Sequence, residues 1–151
     1  MTPQNQRDDT LDVLNKLYAA EKRSLLPRLA EMGVFAQWAL AHEMEQVRRM
    51  AADQALHEAW LLEAAEACGG ALRPACADVT TANLHYLDLQ TLLPRVVAGV
   101  EHLVQLYDRT MREANSLLPE AAETVARIYN RHQAHIEQLR GLCTRMQHTV
   151  A

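Results

Sequence analysis

Apolar residues recur every three to four positions along four long stretches of the chain, the period of a helix with one buried face. The first stripe reads Leu11, Leu14, Tyr18, Glu21, Leu25, Leu29 (or Arg28) and Met32. Asp8, Asp9 and Thr10 precede it with N-capping side chains and negative charge at the positive helix end, and Gly33 offers a stop. The second begins between Val34 and Ala41 and runs to Cys68, where Gly69-Gly70 ends it. Its stripe is Leu40, Met44, Val47, Ala51, Gln54, His57, Leu61, Ala64 and Cys68. The third carries Leu93, Val97, Val100, Val104, Tyr107 and Met111, with Pro94 in its first turns, where a missing N–H is tolerated. Ser116-Leu117-Leu118-Pro119 make a turn, and the fourth carries Ala121, Val125, Ile128, His132, His135, Leu139, Leu142 and Met146. The pattern predicts helices over about 10–32, 35–68, 88–115 and 120–147, with the period broken over 69–87.

Link lengths then constrain topology. Short links join helices one and two, and three and four, so each pair is expected to be antiparallel. The middle link, roughly 16–18 residues at ~3.3 Å each, reaches about 50–60 Å. A helix of about 28 residues is about 42 Å long. The link can therefore travel the whole bundle and start helix three parallel to helix two. The expected fold is all-α: a single four-helix bundle of two antiparallel pairs joined by a long crossover, the ferritin-like arrangement.

Composition agrees and excludes other classes. The chain has 151 residues, near the modal size of one domain, with 49% hydrophobic and 23% charged residues. Only 5 Gly and 5 Pro argue against a turn-rich β-sandwich and against disorder. Lys+Arg of 15 against Asp+Glu of 19 leaves a net charge of −4 without a basic block, so neither nucleic acid nor a membrane surface is an expected partner. No run of about 18 apolar residues exists to span a bilayer. Met1–Asp9 is polar, unlike a secretory signal. Cys68, Cys76 and Cys143 form no CxxC pair and read as reduced thiols, and a cytoplasmic location is expected. No phosphate-binding glycine loop or nucleophile elbow occurs.

The chemistry lies where the stripes are interrupted. On helix four, two of the eight stripe positions are His132 and His135, spaced i, i+3 and so on one face. Gln54 and His57 repeat that spacing on helix two, and Glu21 replaces an apolar residue on helix one. Glu101 lies on helix three between Val97 and Val104, at the edge of the apolar face. A buried carboxylate costs several kcal/mol unless it is paired or holds a metal. His135 and Glu101 come level if the last turn centres near residue 118, where Leu118-Pro119 stand. Glu21 meets His57 if the first turn centres near residue 39; a turn at Gly33 would bring Glu45, and with it His42, opposite instead. The more apolar stripe favours His57. Asp53 could act as a ligand or as a partner of one.

These residues resemble the ferritin-like superfamily, particularly bacterioferritin- and rubrerythrin-type di-metal carboxylate bundles. That pattern places a Glu on each of two helices and Glu-x-x-His on each of the others. Glu21 and Glu101 match the lone glutamates and His57 and His135 the histidines, while Gln54 and His132 stand where the pattern has Glu. His135-Ile136-Glu137-Gln138-Leu139 looks like the stretch that follows the second His in bacterioferritins. Leu17-Tyr18-Ala19-Ala20-Glu21-Lys22 and Val100-Glu101…Tyr107 are similar to other bacterial bundles of the superfamily.

The resemblance implies a metal site at Glu21, His57, Glu101, His132 and His135, with Gln54, Asp53 and Glu45 as further candidates. Imidazole and carboxylate donors suit iron, zinc or manganese. Iron is the leading choice, with iron oxidation or peroxide handling as the activity and Tyr18, Tyr107 or Tyr129 near enough to be oxidised. A homodimer or small homo-oligomer is expected. The alternative is a helical interaction or structural bundle with a metal-free, hydrogen-bonded polar core.

Overall fold

The computed structural model describes residues 2–31, 41–76, 88–113 and 116–150, and among these every regular element is a helix. Helix α1 spans Pro3–Arg23, α2 Ala41–Ala67, α3 Leu89–Glu113 and α4 Pro119–Val150, and a 3-10 segment, Leu26–Glu31, follows α1.

Helix α1 starts and stops earlier than its stripe suggests. Thr2 is the N-cap, accepting from Asn5 N at 3.2 Å, and Pro3 takes the first helical position, where its missing N–H is harmless. Thr10, expected to cap, lies buried inside the helix, where its hydroxyl donates to Gln6 O and accepts from Leu118 N. At the other end Ser24 is the C-cap, and Pro27, which cannot donate to the carbonyl four residues back, prevents continuation towards Met32. The chain tightens into the 3-10 segment instead. The expected stop at Gly33, and residues 35–40 of the expected second helix, lie outside the described residues.

Helix α2 ends as anticipated, at Gly69. Its φ is 77°, its N–H bonds Glu66 O at 2.9 Å, and Gly70 N bonds Ala65 O at 3.0 Å. This is the paired Schellman arrangement that a left-handed residue permits. Asp88 caps α3 through Thr91 N at 2.8 Å, which lowers the pKa of its carboxyl.

Side-chain pairs give the directions. Arg7 and Leu11 lie against Gly69 and Gly70, so α1 and α2 are antiparallel. Arg140 contacts Glu101 while Tyr129 contacts Asp108, so α3 and α4 are antiparallel too. Arg145 reaches Gln46 and His135 reaches Asp53, which sets α2 antiparallel to α4 and hence parallel to α3. The link from Cys68 to Asp88 therefore joins opposite ends of the bundle, as its length allows; residues 77–87 are outside the described residues.

The apolar core falls into two halves. One is built from Leu14, Leu17, Leu61, Ala64, Leu103, Tyr107, Val125 and Ile128. The other contains Leu26, Leu29, Met44, Val47, Leu92, Val96, Val100, Leu139 and Leu142. Leu26 and Leu29 belong to the 3-10 segment, which takes α1's place beside the N-terminal half of α2. Between the halves, in chain position on α1, α2 and α4, lie Glu21, Gln54, His57, His132 and His135, all buried. A polar layer thus crosses the bundle where four helices would otherwise meet as one continuous core.

Candidate metal centre

Each member of the polar layer is delivered by a helix whose neighbouring turns are locked in the core. Glu21 sits one turn beyond Leu17 in the last turn of α1. Gln54 and His57, an i, i+3 pair, point inward between Ala51 and Leu61, and His132 and His135 do the same between Ile128 and Leu139. Side chains so anchored lose little further entropy on meeting.

Glu21 Oε1 is the hub. His132 Nε2–H donates to it at 2.6 Å and the Tyr107 hydroxyl at 2.8 Å. His57 Nδ1 stands 3.5 Å away, too far for a formed hydrogen bond. On the far side of His132, the Gln54 amide nitrogen lies 3.1 Å from His132 Nδ1 and 3.3 Å from His135 Nδ1. An amide NH2 can only donate, so both Nδ1 atoms accept and both rings carry their proton on Nε2. His135 Nε2–H then donates to Asp53 Oδ2 at 3.3 Å, at the half-exposed rim. The His57 ring meets His132 edge-on, with centroids 4.6 Å apart, and packs against Trp60, over which the Arg127 guanidinium lies at 3.6 Å.

The electrostatics follow from this geometry. Burial pushes the Glu21 carboxyl towards neutrality, but hydrogen bonding from His132, with the nearby His57 ring, outweighs it and holds the pKa at about 2. Desolvation lowers the pKa of His57 and of His135, against the pull of Glu21 and Asp53. Burial, then the Glu21 charge, raises Tyr107 well above its usual value, so its hydroxyl stays a donor.

Four buried polar atoms are left without a hydrogen-bond partner here: Glu21 Oε2, Gln54 Oε1, and both ring nitrogens of His57. Such orphans are rare in folded proteins and cost about 1–3 kcal/mol each. One donor atom from each of Glu21, His57 and His132 falls within 4.8 Å of the others. Ligand atoms bonded at ~2.0–2.2 Å to one ion lie about 3 Å apart. Glu21 and His132, 2.6 Å apart, would separate slightly, and the His57 ring, whose Nδ1 lies 3.5 Å from Glu21 Oε1, would move to close the trio on an ion. The donor set therefore fits a divalent ion, and these three residues could hold one.

The other expected site residues fall elsewhere. Glu101 does not join the layer: its half-exposed carboxylate meets Arg140 at 3.1 Å. Val100, one residue earlier and about 100° around the helix, takes the inward position. Glu45 is exposed and meets Arg49 at 3.5 Å, and His57, not Glu45, stands level with Glu21. The link between α1 and α2 is longer than a turn at Gly33 implies, because α1 stops at Arg23 and α2 runs on past it. Gln54 and His135 adjoin the trio without belonging to it, and Asp53 borders His135. Helix α3 contributes Tyr107, which the stripe marks as an inward and oxidisable residue but not as the partner of Glu21. The signal was available: a tyrosine in a dry stripe needs somewhere to place its hydroxyl.

No protein-family model, curated protein or solved structure matches the chain.

Proposed function

We propose that this chain is a metal-binding four-helix bundle that holds one first-row divalent ion at Glu21, His57 and His132. The observation that carries this reading is the convergence of orphaned donors, Glu21 Oε2 and the His57 nitrogens, in a fully buried layer beside His132. An ion would satisfy these atoms and neutralise the buried carboxylate at once.

Two imidazoles and a carboxylate suit Zn²⁺, Mn²⁺ and Fe²⁺, and two histidines with one carboxylate are the set used by non-haem Fe²⁺ oxygenases. Iron is the preferred occupant, because a redox ion gives the neighbouring phenol of Tyr107 a use. When bound, iron supplies one-electron chemistry towards dioxygen or peroxide. The protein's share is to hold the ion, exclude bulk water and keep the Tyr107 hydroxyl oxygen 2.8 Å from Glu21 Oε1, with its proton directed at that oxygen. Kinship with the ferritin-like superfamily belongs to the same proposal. Its support is the crossover topology together with Glu21, His57 and His135. Gln54 and His132 replace the glutamates that would bridge two ions, which favours a mononuclear site.

The free thiols Cys68, Cys76 and Cys143 suit a reducing cytoplasm, and Leu56 and Leu62, exposed on α2, suit self-association. Among the described residues no helix is long and apolar enough to cross a membrane. The rival is a metal-free polar core that sets helix register, favoured by the closed His132–Glu21 hydrogen bond of 2.6 Å.

Elemental analysis of untagged protein after exposure to each ion separates the two. The proposal expects about one ion per chain, lost in both His57→Ala and His132→Ala. Absence of retained metal from folded wild-type protein overturns it.

A further inference from the structure

Gln54 faces both rings with the same atom, and the consequence reaches the surface. In the arrangement described, its NH2 donates to Nδ1 of His132 and Nδ1 of His135, and each ring holds its proton on Nε2. An ion at His132 Nε2 needs the lone pair on that atom, so the ring proton must move to Nδ1. There it would meet the amide NH2 at 3.1 Å, donor against donor. Turning the amide by 180° exchanges nitrogen and oxygen, leaves the heavy-atom positions nearly unchanged, and presents Oε1 to His132 Nδ1–H. Gln54 Oε1 is otherwise without a hydrogen-bond partner.

The turn cannot be made for one ring alone. It places Oε1 3.3 Å from the Nδ1 lone pair of His135, acceptor against acceptor, which His135 relieves by moving its own proton from Nε2 to Nδ1. His135 Nε2 then faces Asp53 Oδ2 without a proton between them. The half-exposed Asp53 carboxylate can leave for Arg131, whose guanidinium lies 3.8 Å from the same oxygen.

We propose that Gln54 is a positioning residue whose amide orientation couples occupancy of the Glu21–His57–His132 site to the His135–Asp53 contact at the surface. The inference rests on the metal reading above. Each imidazole keeps one proton throughout, transferred from Nε2 to Nδ1, so the switch changes no net charge on either ring. A buried amide touching only one histidine would hold its ligand; one shared between two transmits the state of the first to the second.

Nitrogen-15 NMR of the histidine rings tests this in the full chain. Metal-free wild type should show His132 and His135 both protonated on Nε2. One equivalent of Zn²⁺ should move the His135 proton to Nδ1, although His135 is not a ligand. In Gln54→Met, which keeps the volume and removes the amide, zinc should bind about 10- to 100-fold more weakly, and its binding should leave the His135 tautomer unchanged. In metal-free Gln54→Glu, a carboxylate that only accepts should place a proton on Nδ1 of His135, whose Asp53 partner can leave for Arg131.

The proposal is overturned if His135 is unaffected by zinc in wild type, or responds equally in Gln54→Met. It is also overturned if the metal-free tautomers differ from those stated. If zinc fails to bind while the metal-free tautomers and the Gln54→Glu response are as stated, the metal reading falls and the amide's control of the two rings stands.

Discussion

Glu21 is a carboxylate with no solvent exposure, kept ionised by hydrogen bonds from His132 on α4 and Tyr107 on α3, with the His57 ring of α2 nearby. Its depressed pKa makes it a source of acid sensitivity. A group at about 2 in the folded chain and near 4.3 unfolded stabilises the fold above the unfolded value, and that contribution disappears as pH falls between the two. His57 and His135, lowered by burial, are buried neutral and must charge when the chain unfolds in acid. Their contribution is present above about pH 6.5 and declines below it. All three act in the same direction. Metal-free protein should therefore lose unfolding free energy continuously from about pH 6.5 downwards, measured by urea titration at a series of pH values; a stability maximum at or below pH 5 would contradict these assignments. Tyr107→Phe removes one charge-assisted donor from Glu21 with little change of volume. It should cost about 1.5–3 kcal/mol in the same urea titration at neutral pH, and a neutral outcome would mean that the phenol does not support the carboxylate.

Among the elements, the 3-10 segment Leu26–Glu31 has the least obvious role and a large share of the packing, because Leu26 and Leu29 occupy the position α1 vacates. Leu29→Ala should destabilise by about 2–5 kcal/mol, as for a core leucine; a cost below about 1 kcal/mol would show that this segment is peripheral. Gly69 terminates α2 in the left-handed region, so Gly69→Ala should cost about 1–2 kcal/mol of stability in denaturant titration. The same elements show how much the sequence discloses. His132 and His135 stand out because they interrupt a stripe of otherwise apolar residues, and Glu21 for the same reason. Glu101 misled because a position beside an apolar face can point either way, and only packing chose Val100. The start of α1 was hidden by competition: Asp8, Asp9 and Thr10 resemble a cap as strongly as Thr2-Pro3 does. Its end lay in Pro27, inside a stripe whose spacing continued across the break.

For the whole molecule, the four helices, their directions and the long crossover were legible from periodicity and link length, since these depend on chain geometry alone. The polar layer was legible in part: Glu21, Gln54, His57, His132 and His135 meet at one level as their spacing suggests, whereas the place of α3 in it, Tyr107 and not Glu101, depends on packing. That layer gives the bundle a cost that an ion can offset. A ligand present at 100 times its dissociation constant adds about 2.7 kcal/mol, or roughly 5–10 °C in Tm for a chain of this size. Scanning calorimetry should show that rise on adding Zn²⁺ or Mn²⁺ to wild type and not to His57→Ala.

X-ray absorption on zinc-loaded protein would report the ligands themselves. Two imidazole nitrogens and carboxylate oxygen at about 2.0–2.2 Å, with one imidazole lost in His132→Ala, are the predicted result. A shell of oxygen atoms alone, unchanged in that variant, would contradict a metal held by Glu21, His57 and His132.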